Sequence, residues 1–317
     1  MSTSSRLQSL DSWYSEGWKG LNVAVLGLGA TGFSVADTLV ELGSAVTVYS
    51  SDAPSDNVDL LDVIGARVVQ TPLDTVPAAL QEQAPDVVIV SPGLPPHNAT
   101  VEWSVRNSTV WGDIELAWRV RDKVVRGPVA APWITITGTN GKTTTTQLTT
   151  AMYEAGGLRA VACGNIGVPV LDVVRDPDGY DVLVVELSSH QLHYMATSGD
   201  GAVVPLASAC LNIADDHLEW HGSAAAYRAA KAKVYERTVM ACVYNTADDV
   251  TRDMVQDADV VEGCRAVGFT PGCPRRGTSA SSRTSCATAP STRTVGTARS
   301  SCRPSPTSRS PGSPART

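Results

Sequence analysis

The chain has 317 residues, a formal net charge of −7 at pH 7 and 43% hydrophobic residues, which is enough for two domains with sizeable cores. No apolar run approaches the ~20 residues of a membrane span, and residues 1–18 lack the apolar segment of a secretory signal. Residues 271–317 hold eight Arg and no acidic residue, so the first 270 residues carry a net charge of −15. An acidic body argues against nucleic-acid binding, and we expect a cytoplasmic protein without membrane contact. The seven Cys show no C-x-x-C spacing, so we expect reduced thiols and no cysteine metal site.

The first α/β unit follows a polar lead-in of residues 1–20. A nearly continuous apolar run over residues 21–28 predicts a buried parallel strand. The pattern then predicts a helix over residues 33–42 and a second strand over 45–49. Another apolar strand is predicted over residues 86–90. This order of strands and helices is typical of a doubly wound parallel sheet.

A glycine fingerprint lies between the first predicted strand and helix. Gly27, Gly29 and Gly32 form Gly-x-Gly-x-x-Gly, and Asp52 follows the last glycine by 20 residues, where a ribose hydroxyl is bound in dinucleotide sites. The glycines let a pyrophosphate approach a helix N-terminus, or they serve only tight helix–strand packing. The residues alone leave both interpretations open.

Polar residues stand at the ends of two later predicted elements. Ser91, Pro92 and Gly93 follow a predicted strand, at the carboxyl edge of the sheet where α/β proteins bind ligands. Asp113 and Glu115 open the next predicted helix. We expect these two acids to act as favourable N-terminal charges rather than as catalytic groups.

A phosphate-binding pattern follows the strand predicted from Trp133. Small residues form a turn, and Lys-Thr then starts a helix, as in a phosphate-binding loop. Glycines let backbone N–H groups surround phosphate oxygens, and the helix N-terminus attracts the anion. The alternative is an ordinary strand–turn–helix with a surface lysine. The predicted ATP-binding residues are Gly138, Thr139, Asn140, Gly141, Lys142, Thr143 and Thr144.

An acid ends another predicted strand in the same region. Residues 181–185 are apolar and lead into Glu186, which has the position of a Walker-B group that holds Mg²⁺. The alternative is a solvated glutamate at a strand end. His217 follows a strand predicted over 209–213, and Lys231 lies on a helix predicted over 224–239. Taken singly, each of these two residues is more typical of a protein surface than of a site.

Together these motifs resemble the Mur ligase family. They occur in the order Gly-Thr-Asn-Gly-Lys-Thr, Gly-Asn-Ile-Gly, Glu-Leu-Ser-Ser-x-Gln-Leu, Asn-Ile-x-x-Asp-His-Leu and Tyr-Arg-Ala-Ala-Lys. The similarity covers about residues 20–268. It is strongest to members that add D-glutamate to UDP-N-acetylmuramoyl-L-alanine, with Gly-Leu-Gly-x-Thr-Gly at 27–32 as a supporting detail. The resemblance implies an α/β fold with a Rossmann-like N-terminal domain over 21–126 and a P-loop α/β central domain over 127–268.

The resemblance also implies roles for single residues. The N-terminal domain would hold the uridine diphosphate of the substrate rather than a nicotinamide cofactor. Its predicted substrate-binding residues are Gly27, Gly29, Ala30, Thr31, Gly32, Ser50, Ser91, Pro92 and Gly93. Three residues of the central domain would contact the muramoyl substrate or its metal, namely Asn165, Ser188 and Gln191.

Catalysis and metal binding are implied in the same way. The implied catalytic residues are Lys142, His217 and Lys231, and the implied ligands of two Mg²⁺ ions are Thr143, Glu186, His217 and Lys231. Lys231 matches the lysine that carries a carbamate in the family, and a carbamate oxygen suits a hard cation. The substrate carboxylate would attack the γ-phosphate of ATP, and the amine of D-glutamate would then attack the acyl phosphate. We expect a monomer.

The chain departs from the family after Phe269. Residues 271–317 are rich in Ser, Thr, Arg and Pro, with Val295 the only large apolar residue, so they predict a disordered tail over 269–317, or a frameshift. We expect the family's third domain, which helps bind ATP and the incoming amino acid, to be absent, so that the chain binds UDP-N-acetylmuramoyl-L-alanine, binds ATP weakly and forms no product. A non-catalytic UDP-sugar binder and an NAD(P) oxidoreductase remain as alternatives.

Overall fold

The computed structural model describes residues 3–270, and they form two parallel β-sheets covered by helices, which confirms the predicted α/β class. The predicted tail falls outside the described residues from residue 271 onward. Its first residue, Phe269, ends a strand of the second sheet. The strands of the first sheet lie between residues 22 and 112, and those of the second between 133 and 269. The exact division into two domains stays a prediction.

The first sheet has five parallel strands in the order β3-β2-β1-β4-β5. They are β1 (Asn22–Leu26), β2 (Ala45–Ser50), β3 (Arg67–Gln70), β4 (Val87–Val90) and β5 (Thr109–Gly112). β1 pairs with both β2 and β4, so the chain reverses its direction of winding between β1 and β4. Strands buried on both faces need nearly continuous apolar sequence, and all four residues of β4 are buried.

Helices cover both faces of this sheet. They are α1 (Thr3–Gln8), α2 (Ala30–Glu41), α3 (Ser55–Ile64), α4 (Ala78–Gln83), α5 (Ala99–Asn107) and α6 (Asp113–Arg119). The Asn98 side chain caps α5 by accepting from the N–H groups of Thr100 and Val101. Every residue of α6 is buried, because this helix lies between the first sheet and the helices of the second.

The second sheet has six parallel strands in the order β11-β10-β9-β6-β8-β7. They are β6 (Trp133–Thr137), β7 (Ala160–Gly164), β8 (Val182–Glu186), β9 (Ala207–Cys210), β10 (Ala241–Asn245) and β11 (Arg265–Phe269). β6 lies between β8 and β9, so the loops that follow these three strands meet at one edge of the sheet. That edge carries the candidate site.

The helices of the second half alternate with its strands. They are α7 (Lys142–Ala155), α8 (Val170–Val174), α9 (Ser189–Tyr194), α10 (Leu218–His221), α11 (Ala224–Ala232) and α12 (Asp249–Asp257). Within residues 3–270, no helix is long and apolar enough to cross a bilayer. α7 buries Thr146 and Thr150, whereas Leu148 and Met152, which suggested a helix in the sequence, are exposed.

The two sheets share one packed interior. The Trp118 and Trp133 rings meet edge to face at 5.0 Å. Arg175, which caps the C-terminus of α8, pairs with Asp37 of α2 at 2.7 Å and so ties helices of the two halves together. Within α6, Glu115 and Arg119 form a buried ion pair at 2.8 Å, so Glu115 is not a simple N-terminal charge. Burial nevertheless raises the pKa of Glu115 to about 7.

Several predicted boundaries differ from the structure, including the start of α2, which lies at Ala30 rather than at residue 33. The polar lead-in is packed, because Leu10 and Trp18 are fully buried. The helix predicted over 224–239 ends at Ala232 and continues only as a short 3₁₀ turn. The strand predicted over 209–213 ends at Cys210, so the residues after it form a loop at the site. Where apolar residues are sparse or the segment is rich in alanine, the hydrophobic periodicity is too weak to predict where a helix or strand ends.

Candidate functional site

A glycine turn joins β6 to α7 and has the geometry of a phosphate-binding loop. Gly138 has a φ of 152° and Gly141 has a φ of 82°, conformations that residues with a side chain rarely adopt. A Cβ at Gly138 would also lie 3.1 Å from the Leu211 Cβ atom. α7 runs for 14 residues from Lys142, so its free N–H groups and positive dipole end face the loop. This arrangement can bind a phosphate.

The loop is held in place by Asn212, which follows β9. Its backbone carbonyl accepts from the N–H of Thr139 at 2.9 Å. Its side chain accepts from the N–H of Asn140 at 2.9 Å and donates to the Asn140 carbonyl at 3.0 Å. The Thr139 hydroxyl in turn accepts from the N–H of Ala214 at 2.9 Å and bonds Tyr227 at 2.9 Å. The loop is therefore preorganised rather than shaped only by its ligand.

Two lysines lie against this loop from opposite sides. Lys142 donates to the carbonyls of Gly138 at 2.9 Å and Thr139 at 3.0 Å. Lys231 donates to the same Gly138 carbonyl at 2.9 Å and to the Thr137 hydroxyl at 3.0 Å. The two ammonium groups share one carbonyl acceptor and repel each other. An anion brought to the loop would be attracted by both of them.

Glu186 ends β8 beside the loop and brings three of the predicted residues together. The carboxylate is buried, with 1% exposure, and accepts from the Thr143 hydroxyl at 2.9 Å and the Asn165 amide at 2.8 Å. Gly164, just before Asn165, lets the chains approach, since a Cβ there would lie 2.4 Å from the Glu186 carbonyl oxygen. The buried location rules out the solvated strand-end glutamate that the sequence left open.

The donor set around Glu186 fits a hard divalent cation. Carboxylate, hydroxyl and amide oxygens are the ligands that Mg²⁺ takes, and Mg²⁺ at nucleotide sites needs only one or two carboxylates because phosphates and water complete its shell. Among the described residues, no cluster of three or more His, Cys, Asp or Glu is suited to hold a metal by itself. Glu186 and Thr143 would therefore hold Mg²⁺ together with the phosphates of a nucleotide.

Among the residues that the structure describes, Lys231 is the one buried lysine, with 2% exposure. Burial, with a further contribution from the charge on Lys142, lowers the pKa of its amine to about 8. At pH 7 a fraction on the order of one tenth of the amine is neutral, against less than a thousandth for an ordinary lysine. The neutral amine is the nucleophilic form, so this lysine is suited to react with CO₂.

His217 lies farther out than the other predicted groups. It has a left-handed backbone (φ 48°) at the start of α10, and half of its side chain is exposed. Its Nε2 atom is 3.4 Å from a carboxylate oxygen of Asp216. No hydrogen bond of the described residues joins His217 to Glu186 or Lys231. Thr143 and Glu186 are thus joined by a hydrogen bond, and a metal site that also includes His217 and Lys231 stays a prediction.

Ser188 and Gln191 are occupied within the protein. The Ser188 hydroxyl accepts from the N–H of Gln191, and the Gln191 side chain accepts from the N–H of Ser188, which forms a capping box for α9. The Gln191 amide donates to the buried Asp113 at 2.9 Å. Burial raises the pKa of Asp113 to about 6. This geometry favours a role for Gln191 in holding α9 against α6, and its predicted substrate contact stays a prediction.

The glycine fingerprint of the first sheet lies where the winding reverses. Gly27 follows β1 with a φ of 97°, and Gly29 precedes α2, whose first turn contains Ala30 and Thr31. The Ser91 hydroxyl, at the end of β4, donates to the Gly27 carbonyl at 3.3 Å. Ligands of doubly wound sheets bind at such a switch point, outside the carboxyl ends of the strands.

The remaining predicted substrate residues surround this point. Ser50 ends β2, and its buried hydroxyl donates to the carbonyl of Asp52 at 2.5 Å. The Asp52 side chain is exposed, as a ribose ligand would need. Gly93 accepts weakly from the Trp220 indole at 3.4 Å, so the Ser91–Pro92–Gly93 loop touches an element of the second half. The loop after β4, at the first candidate site, therefore contacts α10, which lies beside the second candidate site.

Gly32 provides a direct test of the fingerprint. A Cβ at this position would lie 2.0 Å from the Gly27 carbonyl oxygen, which is backbone and cannot give way. We expect Gly32→Ala to lower the free energy of unfolding by about 1–3 kcal/mol and to abolish binding of a UDP ligand. Gly127→Ala is the control, because Gly127 lies outside the predicted substrate site and nothing lies within 4 Å of its Cβ position. Thermal unfolding and calorimetry of both variants would decide, and equal behaviour would contradict this role.

Sequence reasoning missed a histidine cluster beside the site. The His190 ring stacks on the Trp220 ring with their centroids 4.3 Å apart, and its centroid is 4.7 Å from that of His217. His221, the third histidine of the cluster, is buried. Burial lowers the pKa of both His190 and His221 to about 4, so both are neutral at pH 7. The signal was present, since His217 and His221 are four residues apart and His190 is close to the Glu186 motif.

Comparison with known proteins gives consistent matches. Residues 136–272 match the Mur ligase middle domain. Over 269 residues the chain is 56% identical to the UDP-N-acetylmuramoylalanine–D-glutamate ligase of Leifsonia xyli, which covers 83% of this chain and 52% of that protein. It is 50% identical to the ligase of the same name from Tropheryma whipplei strain Twist, covering 84% and 54%. The chain spans about half the length of these curated relatives.

One solved structure can be set beside these sequences. It is the UDP-N-acetylmuramate:L-alanyl-gamma-D-glutamyl-meso-diaminopimelate ligase from Neisseria meningitides. The alignment covers 78% of this chain and 76% of that one, with 17% identity and a TM-score of 0.48.

Proposed function

Because this chain belongs to the Mur ligase family, we propose that it is an ATP-dependent ligase that joins D-glutamate to UDP-N-acetylmuramoyl-L-alanine. The observation that carries the proposal is Glu186, buried at the end of β8 and bonded to Thr143 of the phosphate loop. A buried carboxylate beside the phosphate loop suits a metal ion that would be bound together with nucleotide phosphates. A cytoplasmic, monomeric enzyme is part of the same proposal.

The first sheet would hold the uridine diphosphate part of the acceptor. The pyrophosphate would lie against Gly27 and the N-terminus of α2, where the backbone is accessible because Gly29 and Ala30 are exposed. Ser91 would border the same site from β4. This placement is supported by the switch point between β1 and β4, and it needs no nicotinamide.

The phosphate loop and Lys142 would bind ATP. The N–H groups at the start of α7 would surround the phosphates, and the Lys142 ammonium would leave the loop carbonyls to reach the β- and γ-phosphates. A bound Mg²⁺ would neutralise the charge that spreads over the transferring group. Thr143 and Glu186 would fix its position, and Asn165 would orient Glu186.

The chemistry then follows from positioning. The acceptor carboxylate attacks the γ-phosphorus, ADP leaves, and the carbonyl carbon of the resulting acyl phosphate is open to an amine. The amine of D-glutamate displaces phosphate and loses a proton as the amide forms. His217, which is half-exposed beside Asp216, would contact the muramoyl end of the acceptor. We assign none of the described residues to D-glutamate.

Hydroxylamine tests this proposal without requiring a D-glutamate site. Hydroxylamine attacks acyl phosphates and forms a stable hydroxamate, so the chain should convert UDP-N-acetylmuramoyl-L-alanine to its hydroxamate when ATP and Mg²⁺ are present. The reaction should stop when ATP or the acceptor is omitted. Absence of the hydroxamate from a chain that binds both ligands would contradict the phosphoryl-transfer step. Binding of NADH in a parallel fluorescence titration would favour the oxidoreductase alternative.

Lys231 is expected to act as a carbamate, which forms when its neutral amine attacks CO₂ and loses a proton. Lys231→Ala should lose most of the hydroxamate-forming activity, and a short carboxylate such as acetate should partly restore it by supplying the missing oxygen ligand. Arg228→Ala is a control on the same helix. The Arg228 side chain is half-exposed, and its guanidinium forms a surface ion pair with Asp215 at 3.6 Å. Full activity of Lys231→Ala without acetate would rule out this role.

A further inference from the structure

Two cysteines lie side by side in the second sheet, away from the candidate site. The Sγ atoms of Cys242 and Cys264 are 3.8 Å apart. Cys242 is in β10 and is 2% exposed, whereas Cys264 immediately precedes β11 and is partly exposed. β10 and β11 are neighbouring parallel strands in which Cys242 pairs with Ala266, so Cys264 stands two residues before the partner of Cys242 and the two side chains meet diagonally.

We propose that Cys242 and Cys264 form a dithiol site that closes to a disulfide by exchange with a small oxidised thiol such as glutathione disulfide. A disulfide requires a sulfur–sulfur distance of about 2.05 Å, so the two Sγ atoms must approach by roughly 1.8 Å. Because the two cysteines are offset by two residues across the strands, this approach requires rotation of both side chains together with a shift of the backbone at Cys264, just before β11. The proposal concerns a modification site and does not depend on the ligase function.

The exchange has two balanced steps. The Cys264 thiolate attacks one sulfur of the oxidised thiol, which forms a mixed disulfide and releases the first thiolate. The Cys242 sulfur then attacks the Cys264 sulfur, the second small thiolate leaves, and it takes up the proton that Cys242 loses. In total, two protein thiols are oxidised and one small disulfide is reduced to two thiols.

The surroundings fix the order of these steps. Burial raises the pKa of the Cys242 thiol to about 12, so this thiol is a poor first nucleophile and is out of reach of a solvent molecule. Cys264 is partly exposed and can meet a small disulfide first. Once the mixed disulfide forms, Cys242 is already within 4 Å of its target, and proximity compensates for its low thiolate fraction.

The other described cysteines offer a contrast. Cys163 and Cys210 are buried, and neither has a second sulfur within hydrogen-bonding distance among the residues 3–270. Burial raises the pKa of both thiols to about 12. They should remain reduced in the folded protein, which makes Cys163→Ser a suitable control.

The test uses the full chain, folded, treated with glutathione disulfide and then quenched with acid. Trypsin separates the two cysteines, since cleavage after Arg237, Arg252 and Arg265 puts Cys242 in peptide 238–252 and Cys264 in peptide 253–265. Mass spectrometry should find these two peptides joined, and dithiothreitol should release them. A glutathione adduct on Cys264 with Cys242 still free, a link from Cys264 to another cysteine, or no reaction would each overturn the proposal.

Two variants sharpen the result. Cys242→Ser should trap Cys264 as a stable glutathione adduct, because the resolving thiol is missing. Cys163→Ser should form the 238–252 to 253–265 link as the wild type does. If Cys242→Ser accumulates no more adduct than the wild type, then Cys264 is not the attacking thiol and the proposed sequence of steps is wrong.

Discussion

Lys142→Ala is expected to weaken ATP binding by at least about 100-fold, or roughly 3 kcal/mol, and to leave binding of UDP-N-acetylmuramoyl-L-alanine unchanged. The substitution removes a full positive charge at the phosphate loop, where Lys142 contacts the carbonyls of Gly138 and Thr139. The fingerprint at Gly27 belongs to the other sheet and shares no residue with this loop. The selective loss follows from this separation, and calorimetric titration of both ligands measures it.

A matched control for this variant is Lys19→Ala. Lys19 is exposed and pairs with Glu16 at the surface, so its removal should change neither affinity. Because Lys142 is bonded only to loop carbonyls, Lys142→Ala should keep a thermal unfolding midpoint close to that of the wild type. An equal loss of both ligands in Lys142→Ala, with the fold intact, would contradict the assignment of the two nucleotides to the two sheets.

Glu186→Gln is expected to remove the dependence of ATP binding on Mg²⁺ and to lower the rate of hydroxamate formation by about 10³-fold. Glutamine has the same shape and keeps an oxygen that can accept from Thr143, but it lacks the charge that a hard cation requires. Wild-type protein should bind ATP more tightly as Mg²⁺ is added. The variant should bind ATP with one affinity at all Mg²⁺ concentrations.

The control for this variant is Glu154→Gln, an exposed acid on α7, the same helix that begins with the phosphate loop. It should retain both the Mg²⁺ dependence and the rate. If Glu186→Gln retains them as well, the buried carboxylate has a structural role and the metal is held elsewhere. An ATP affinity of Glu186→Gln that still depends on Mg²⁺ would therefore contradict the proposed role of Glu186.

The parts of the fold that could be predicted from the sequence are those with strong local signals. Buried parallel strands read as short apolar runs, so β1, β4 and β8 were found within one or two residues. The sequence predicts the phosphate loop through a turn of small residues between a strand and Lys-Thr at a helix start. Glu186 was placed beside that loop because the carboxyl ends of neighbouring parallel strands meet at one edge.

Other features depend on tertiary contacts that leave little trace in the local pattern. Residues 53–85 contain α3, β3 and α4, but the exposed residues of β3 dilute its apolar run. α7 buries threonines and exposes Leu148 and Met152, which inverts the usual pattern of an amphipathic helix.

The role of Gln191 was also hidden, since it depends on Asp113, which lies 78 residues away in the sequence. The motif predicts a substrate contact for Gln191, and that contact stays a prediction. Its hydrogen bonds to the capping box and to α6 could be seen only in three dimensions. The packing of Leu10 and Trp18 was missed for the same reason, because their partners are distant in the chain.

The central claim is that the two sheets bind two different nucleotides at the same time, and one titration tests it most directly. A non-hydrolysable ATP analogue with Mg²⁺ is titrated into the chain after saturation with UDP-N-acetylmuramoyl-L-alanine. The account predicts binding of one analogue per chain, with an affinity at least equal to that without the acceptor. Displacement of the acceptor by the analogue, or no binding of the analogue to the saturated chain, would show a single shared site and contradict the account.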